Sequence, residues 1–146
     1  MVLWRISRHQ DLTGAGGLRV AGRWHLKGSL VVYTSEHPAV ALLESCVHTA
    51  TNDVPKTYTL LRIEGPDISA PSVKLEDLPK DWMERVSVTQ ALGSEWLSKN
   101  DAPLLRIPSV IVPYAWNFLF NPLHYAARLF AITEAINYPF DGRIKQ

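Results

Sequence analysis

Glu44 is the side chain whose setting most calls for a chemical explanation. A helix is expected from about Ser35–Pro38 to Thr49, because a polar cap residue, an acidic side chain and a proline precede unbroken helix-compatible sequence. On that helix Val40, Leu43 and Val47 form an apolar stripe, and Glu44 falls at its edge, between Val40 and Ala41 in angle. Ala39, Ala41, Leu42, Ser45 and Cys46 make the helix apolar nearly all round, so burial is expected. A carboxylate there is paired, neutralised or turned toward a cavity, because burying an unpaired charge costs several kcal/mol. Two readings satisfy the pattern: a half-exposed glutamate paired with a nearby arginine, or a carboxylate that works in a site.

Arg23 follows Gly22 and precedes Trp24, downstream of the loop Thr13-Gly14-Ala15-Gly16-Gly17. An arginine on a glycine-framed segment suits bidentate recognition of phosphate, and it equally suits a surface ion pair. The glycines match neither a P-loop nor a GxGxxG fingerprint, since no strand-loop-helix of the required spacing surrounds them. Tyr33 ends the strand-like run Ser29–Thr34, sharing a face with Val31 and not with Leu30 or Val32. It fits either a core position or a ring that stacks on a flat ligand. Ser109 is a hydroxyl in an apolar strand and needs a hydrogen-bond partner. Asn117 either orients a ligand or closes a turn, and Asn121 is placed to cap a following helix.

Other chemistries find little support. The five histidines form no HxxxH or HExxH pattern, no GxSxG elbow is present, and the single cysteine excludes both an internal disulfide and CxxC sites. Cys46 lies within the Glu44 helix, where a thiol usually behaves as a small hydrophobe. No bound metal is expected.

These residues need a scaffold, and the sequence outlines one. Strands are expected at residues 2–6, 29–34, 57–63, 104–112 (interrupted at Pro108) and 135–140. Helices are expected over Thr89–Ser98 and from Pro122 to about Thr133, the latter with Leu123, Ala126, Ala127, Phe130 and Ala131 at helical spacing. Residues 64–81, with Pro66, Pro71 and Pro79, read as a connection with little regular structure. The elements lack regular βαβ alternation, which favours an α+β domain over a parallel doubly wound sheet.

At 146 residues the chain is expected to form one domain, residues 1–146, and 47% hydrophobic with 20% charged residues excludes a disordered chain. The longest apolar runs are strand-sized, far short of the roughly 20 residues that span a bilayer. The segment Met1-Val2-Leu3-Trp4-Arg5 lacks the sections of a signal peptide, so a cytoplasmic protein without membrane contact is expected. A net charge of +1, with scattered basic residues, argues against direct nucleic-acid binding. Five tryptophans are many for this length and fit core or interface anchors, including those of a homodimer.

Taken together the residues resemble the RES domain, named for recurring Arg, Glu and Ser. The resemblance is carried by Trp4-Arg5-Ile6-Ser7, Gly22-Arg23-Trp24, Val32-Tyr33-Thr34-Ser35, Ala41-Leu42-Leu43-Glu44 and Gly93-Ser94-Glu95-Trp96-Leu97. It continues through Ile107-Pro108-Ser109-Val110, Asn117, Asn121-Pro122-Leu123-His124 and Phe140-Asp141-Gly142-Arg143. One departure is His25, where a small polar residue such as Asn is expected. The resemblance implies an α+β fold like that of ADP-ribosyltransferases, with two packed β-sheets, surrounding helices and a cleft for NAD+ as substrate rather than as cofactor. It implies a toxin of a toxin–antitoxin pair that cleaves the nicotinamide–ribose bond by hydrolysis or phosphorolysis. Arg23 would hold the pyrophosphate, Tyr33 would stack on nicotinamide and Glu44 would stabilise the ribose cation. Ser109 and Asn117 would complete the site. The implied partner is an Xre-like helix-turn-helix antitoxin that blocks the cleft; a toxin homodimer within that complex is expected from the tryptophan count. Two alternatives stay open: ADP-ribosyl transfer to a protein, and a non-enzymatic interaction domain.

Overall fold

The computed structural model describes residues 1–145. Six strands, Val2–Ile6 (β1), Val32–Ser35 (β2), Thr57–Glu64 (β3), Leu104–Pro108 (β4), Trp116–Phe120 (β5) and Ala131–Pro139 (β6), accompany two helices, Pro38–Val47 (α1) and Val86–Lys99 (α2). The expected α+β class holds. The strands run β4-β5-β2-β1-β3-β6 in one sheet, each antiparallel to its neighbours.

That sheet has a seam. β1 and β2 share the single register pair Trp4↔Ser35, whereas β1 pairs with β3, and β2 with β5, along the length of the shorter strand. The resemblance implies two packed sheets; the structure instead has one continuous sheet, whose seam divides it into three-stranded halves, β4-β5-β2 and β1-β3-β6. A buried cluster of Leu3 and Ile63 from one half with Val32, Leu104, Phe118 and Phe120 from the other ties them together. On the opposite face of the β4-β5-β2 half, Val31, Leu105, Ile107 and Leu119 pack with Trp24, Leu78 and Trp82. Period-two alternation assigns each strand residue to one cluster or the other.

Helix α1 begins as expected, with Pro38 in its first turn and the His37 ring nitrogen Nδ1 accepting from the Ala39 N–H at 3.1 Å. Its buried side differs from the stripe read from sequence. Ala41 and Cys46 face the interior, while Leu43 and Val47 are 38% and 57% exposed. The helix is half-buried, and Glu44 sits on the flank between interior and solvent. Helix α2 starts three residues earlier than expected and ends at Asn100, whose φ of 55° closes it in the left-handed region.

The largest correction concerns the last third. The segment before Pro122 is β5, inserted between β2 and β4, and the helix expected from Pro122 to Thr133 is a short 3-10 turn, Tyr125–Leu129, running into β6. Asn121 caps no α-helix: its Oδ1 accepts from the Leu123 N–H at 3.1 Å and its Nδ2 donates to Asn100 Oδ1 at 2.8 Å. The helical spacing of Leu123, Ala126, Ala127 and Phe130 is outweighed by pairing of Ala131–Pro139 with the full length of β3. After Glu64, the stretch to residue 81 is irregular, as the prolines foretell, apart from a brief 3-10 turn, Leu75–Asp77, and a single parallel bridge between Ser72 and Arg106 of β4.

Candidate active site

A cavity of about 400 Å³ opens on the face of β2 that carries Val31 and Tyr33, between that face, the C-terminal end of α1 and the segment 16–25. Arg5, Arg23, Tyr33, Glu44 and Asn117 all line it. A second cavity of about 300 Å³ lies between α1 and β1 and also borders Arg5, Tyr33, Glu44 and Asn117.

Glu44 is held by neutral donors. Its Oε1 accepts from Asn117 Nδ2 at 2.7 Å and from Ser109 Oγ at 3.0 Å. Asn117 is fixed in turn by the Ser35 hydroxyl, which donates to Oδ1 at 2.6 Å. Ser109 Oγ also accepts from the Ile111 and Val112 N–H groups at 3.1 and 3.2 Å. Among the described residues no cation lies within ion-pair distance of Glu44, so the arginine-paired reading falls away. What remains is a carboxylate with one oriented oxygen and its other oxygen without a protein hydrogen bond.

Tyr33 holds the other wall. Val20 O can only accept, so His25 Nε2 donates to it at 2.9 Å; in the neutral ring Nδ1 then accepts from the Tyr33 hydroxyl at 2.8 Å. The Tyr33 oxygen accepts from the Trp24 N–H at 3.0 Å. Burial pushes the phenol up to about 12, against smaller opposing effects of the Trp24 N–H and the Arg23 charge. His25, the departure noted in sequence, is thus the buried partner that locks Tyr33. Gly22 is required beside it, because a Cβ there would stand 2.5 Å from the Tyr33 hydroxyl.

Arg23 is positioned by α2. Thr89 Oγ1 donates to Arg23 O at 2.5 Å, Gln90 Nε2 to Gly22 O at 2.9 Å, and Ser94 Oγ accepts from the Leu26 N–H at 3.1 Å. Gly93 lets the helix lie directly on the Trp24 carbonyl, which any Cβ would overlap. The Arg23 guanidinium donates to Met83 O at 2.8 Å through one nitrogen, leaving most of its donors for a ligand.

Sequence alone singles out neither Arg5 nor Ser35. Arg5 shares its face of β1 with Leu3, which is 1% exposed, so strand alternation is the available signal for a half-buried cation. Its guanidinium donates to Asp11 O at 3.2 Å. Burial pushes it below its ordinary value, partly offset by the Asp11 charge. Cys46 lines neither cavity at Glu44, and burial raises its thiol, which removes it as a nucleophile in this site. Among the described residues no group of three or more His, Cys, Asp or Glu is placed to hold a metal ion, and no helix is long and apolar enough to cross a membrane.

The RES domain family model matches residues 2–141. This chain belongs to the RES family. The RES chain is 45% identical over 130 residues to "Toxin Res" of Pseudomonas putida, covering 88% of this chain and 89% of that one. It is 34% identical over 154 residues to "Prs ADP-ribosylating toxin" of Sphingobium sp., covering 97% and 94%. In fold it is similar to a chain from the crystal structure of the M. tuberculosis MbcT–MbcA toxin–antitoxin complex. The TM-score is 0.69 at 15% identity, covering 99% of this chain and 86% of that one.

Proposed function

We propose that this RES protein is the toxin of a toxin–antitoxin pair and that it cleaves the nicotinamide–ribose bond of NAD+, arresting growth by depleting it. The observation that carries this reading is Glu44, a carboxylate oriented by Ser109 and Asn117, without a cationic partner, at the wall of a cavity that also presents Arg5 and Arg23. Cleavage moves the C1′–N electron pair onto the nicotinamide nitrogen and leaves positive charge on the ribose, as in glycoside cleavage. A fixed carboxylate beside that carbon stabilises the charge without reorganising. The two guanidinium groups suit a pyrophosphate, and the Tyr33 ring, tethered by its hydroxyl, offers a flat surface for nicotinamide. The size of the cavity is within the usual range for small-molecule sites. NAD+ is then a substrate, and no further cofactor is called for.

An antitoxin that covers the cleft completes the proposal, because a free NAD+-consuming enzyme poisons its host. We take that partner to be an Xre-like helix-turn-helix protein acting on a toxin homodimer. The reading also gains support from the relatives that are named as toxins. Nicotinamide release from NAD+ by the purified protein is the direct test, and its absence rejects the reading. A second reading, transfer of ADP-ribose to a protein, is favoured by the name of the Sphingobium relative. Labelled NAD+ incubated with lysate separates the two: label in a protein band supports transfer, and free ADP-ribose or its phosphate supports degradation.

A further inference from the structure

We propose that the site has a separate acceptor entrance: the second cavity beside Glu44 admits the small oxygen nucleophile that captures the ribose carbon, and His48 orients it. The inference rests on the NAD+-cleaving reading above. In a single inverting displacement at an anomeric carbon, the nucleophile approaches the face opposite the departing base. With NAD+ filling the larger cavity, that face needs its own access. The structure supplies it, since Glu44 forms part of the wall of both cavities.

His48 stands at the same boundary. It follows Glu44 by four residues, one turn along α1, and lines both cavities. Its ring is exposed and makes no hydrogen bond to the protein among the described residues, unlike His25, which is buried and bonded through both nitrogens. Arg5, Tyr33 and Glu44 line both cavities with it, and Arg23 and His25 add to the wall of the first. The remaining lining includes the side chains of Trp4, Ile6, Ser45 and Thr49, which leave about 300 Å³. That space is ample for water or a short alcohol. In the step itself, a lone pair on the acceptor oxygen forms the C1′–O bond as the C1′–N pair leaves with nicotinamide. The acceptor proton passes to the His48 imidazole and then to solvent. The products are nicotinamide, ADP-ribose or its alkyl glycoside, and one proton.

Methanol is a suitable probe, with the ratio of methyl ADP-ribose to ADP-ribose read alongside nicotinamide release. His48→Gln is expected to lower turnover about tenfold or more with KM for NAD+ unchanged, and to shift the product ratio. Thr49 lines the second cavity and not the first, so Thr49→Trp is expected to suppress methanol capture more than water capture while NAD+ binding persists. If that variant does not fold, Ser45→Met is read in the same way. Wild-type turnover with an unchanged product ratio in the variants of both positions overturns the acceptor entrance alone. No nicotinamide release by the wild type overturns the NAD+ reading and the entrance with it.

Discussion

The Asn117 side-chain amide donates to Glu44 Oε1 at 2.7 Å, joining a central strand to a helix 73 residues earlier in the chain. The same amide accepts from Ser35, so its orientation is not free: the oxygen faces a hydroxyl and the nitrogen faces the carboxylate. Asn117→Ala removes one of the two donors to Glu44 and leaves Ser35 without its acceptor. Turnover of NAD+ is expected to fall by about 30-fold, the equivalent of roughly 2 kcal/mol of lost orientation. A nicotinamide-release assay at saturating NAD+ checks this, and an undiminished rate rejects the positioning role.

Glu44→Gln keeps an oxygen for Ser109 and Asn117 to bond but discards the charge. The fold is expected to persist while NAD+ turnover falls about 100-fold or more, a loss of roughly 3 kcal/mol in transition-state stabilisation. Single-turnover kinetics with a parallel thermal melt separates this outcome from unfolding. Near-normal turnover in a folded variant removes Glu44 from the chemistry.

The buried Tyr33 phenol, at about 12, ionises about two units above a free tyrosine. The folded state therefore holds this proton more tightly than the unfolded state. Its contribution to stability is complete below about pH 10 and is lost as pH rises through about 12. In an ultraviolet titration of the five tyrosines, the highest-pH step is expected to vanish in Tyr33→Phe. An unchanged titration curve contradicts the burial argument.

Gly93→Ala forces α2 away from the Trp24 carbonyl. Overpacking of this kind costs about 1–3 kcal/mol, and here it also displaces the segment that carries Arg23. A lowered Tm together with a raised KM for NAD+ is expected. A variant with a lowered Tm and an unchanged KM shows that α2 supports the fold without positioning Arg23.

Much of this arrangement is legible in the residues themselves. β-branched and aromatic runs locate β1 and β3 within one residue, and the proline-rich stretch 64–81 reads correctly as irregular. Arg23, Tyr33, Glu44 and Asn117 reach one cavity, with Ser109 bonded to Glu44, because each breaks a local pattern: a cation among glycines, or a polar group in an apolar element. The last third is less legible. Trp116–Phe120 lacks the apolar–polar alternation that marks a strand, since β5 is covered on both faces and carries hydrophobes on each. The spacing that suggested a helix after Pro122 is local, and the pairing that overrides it belongs to β3, far away in sequence. Arg5 escapes notice because alternation puts it on the same face as Leu3, but the register of the seam decides that it borders the cavity.

The placement of β5 has a consequence for timing during synthesis. A chain whose synthesis has not passed Pro108 already contains Arg5, Arg23, Tyr33 and Glu44, yet β2 has only its single pair with β1 to hold it in a sheet. Glu44 then has neither of the donors that orient it, because β5 and the turn after β4 supply both. Activity is expected to arrive late and abruptly, when Trp116–Phe120 slots between β2 and β4.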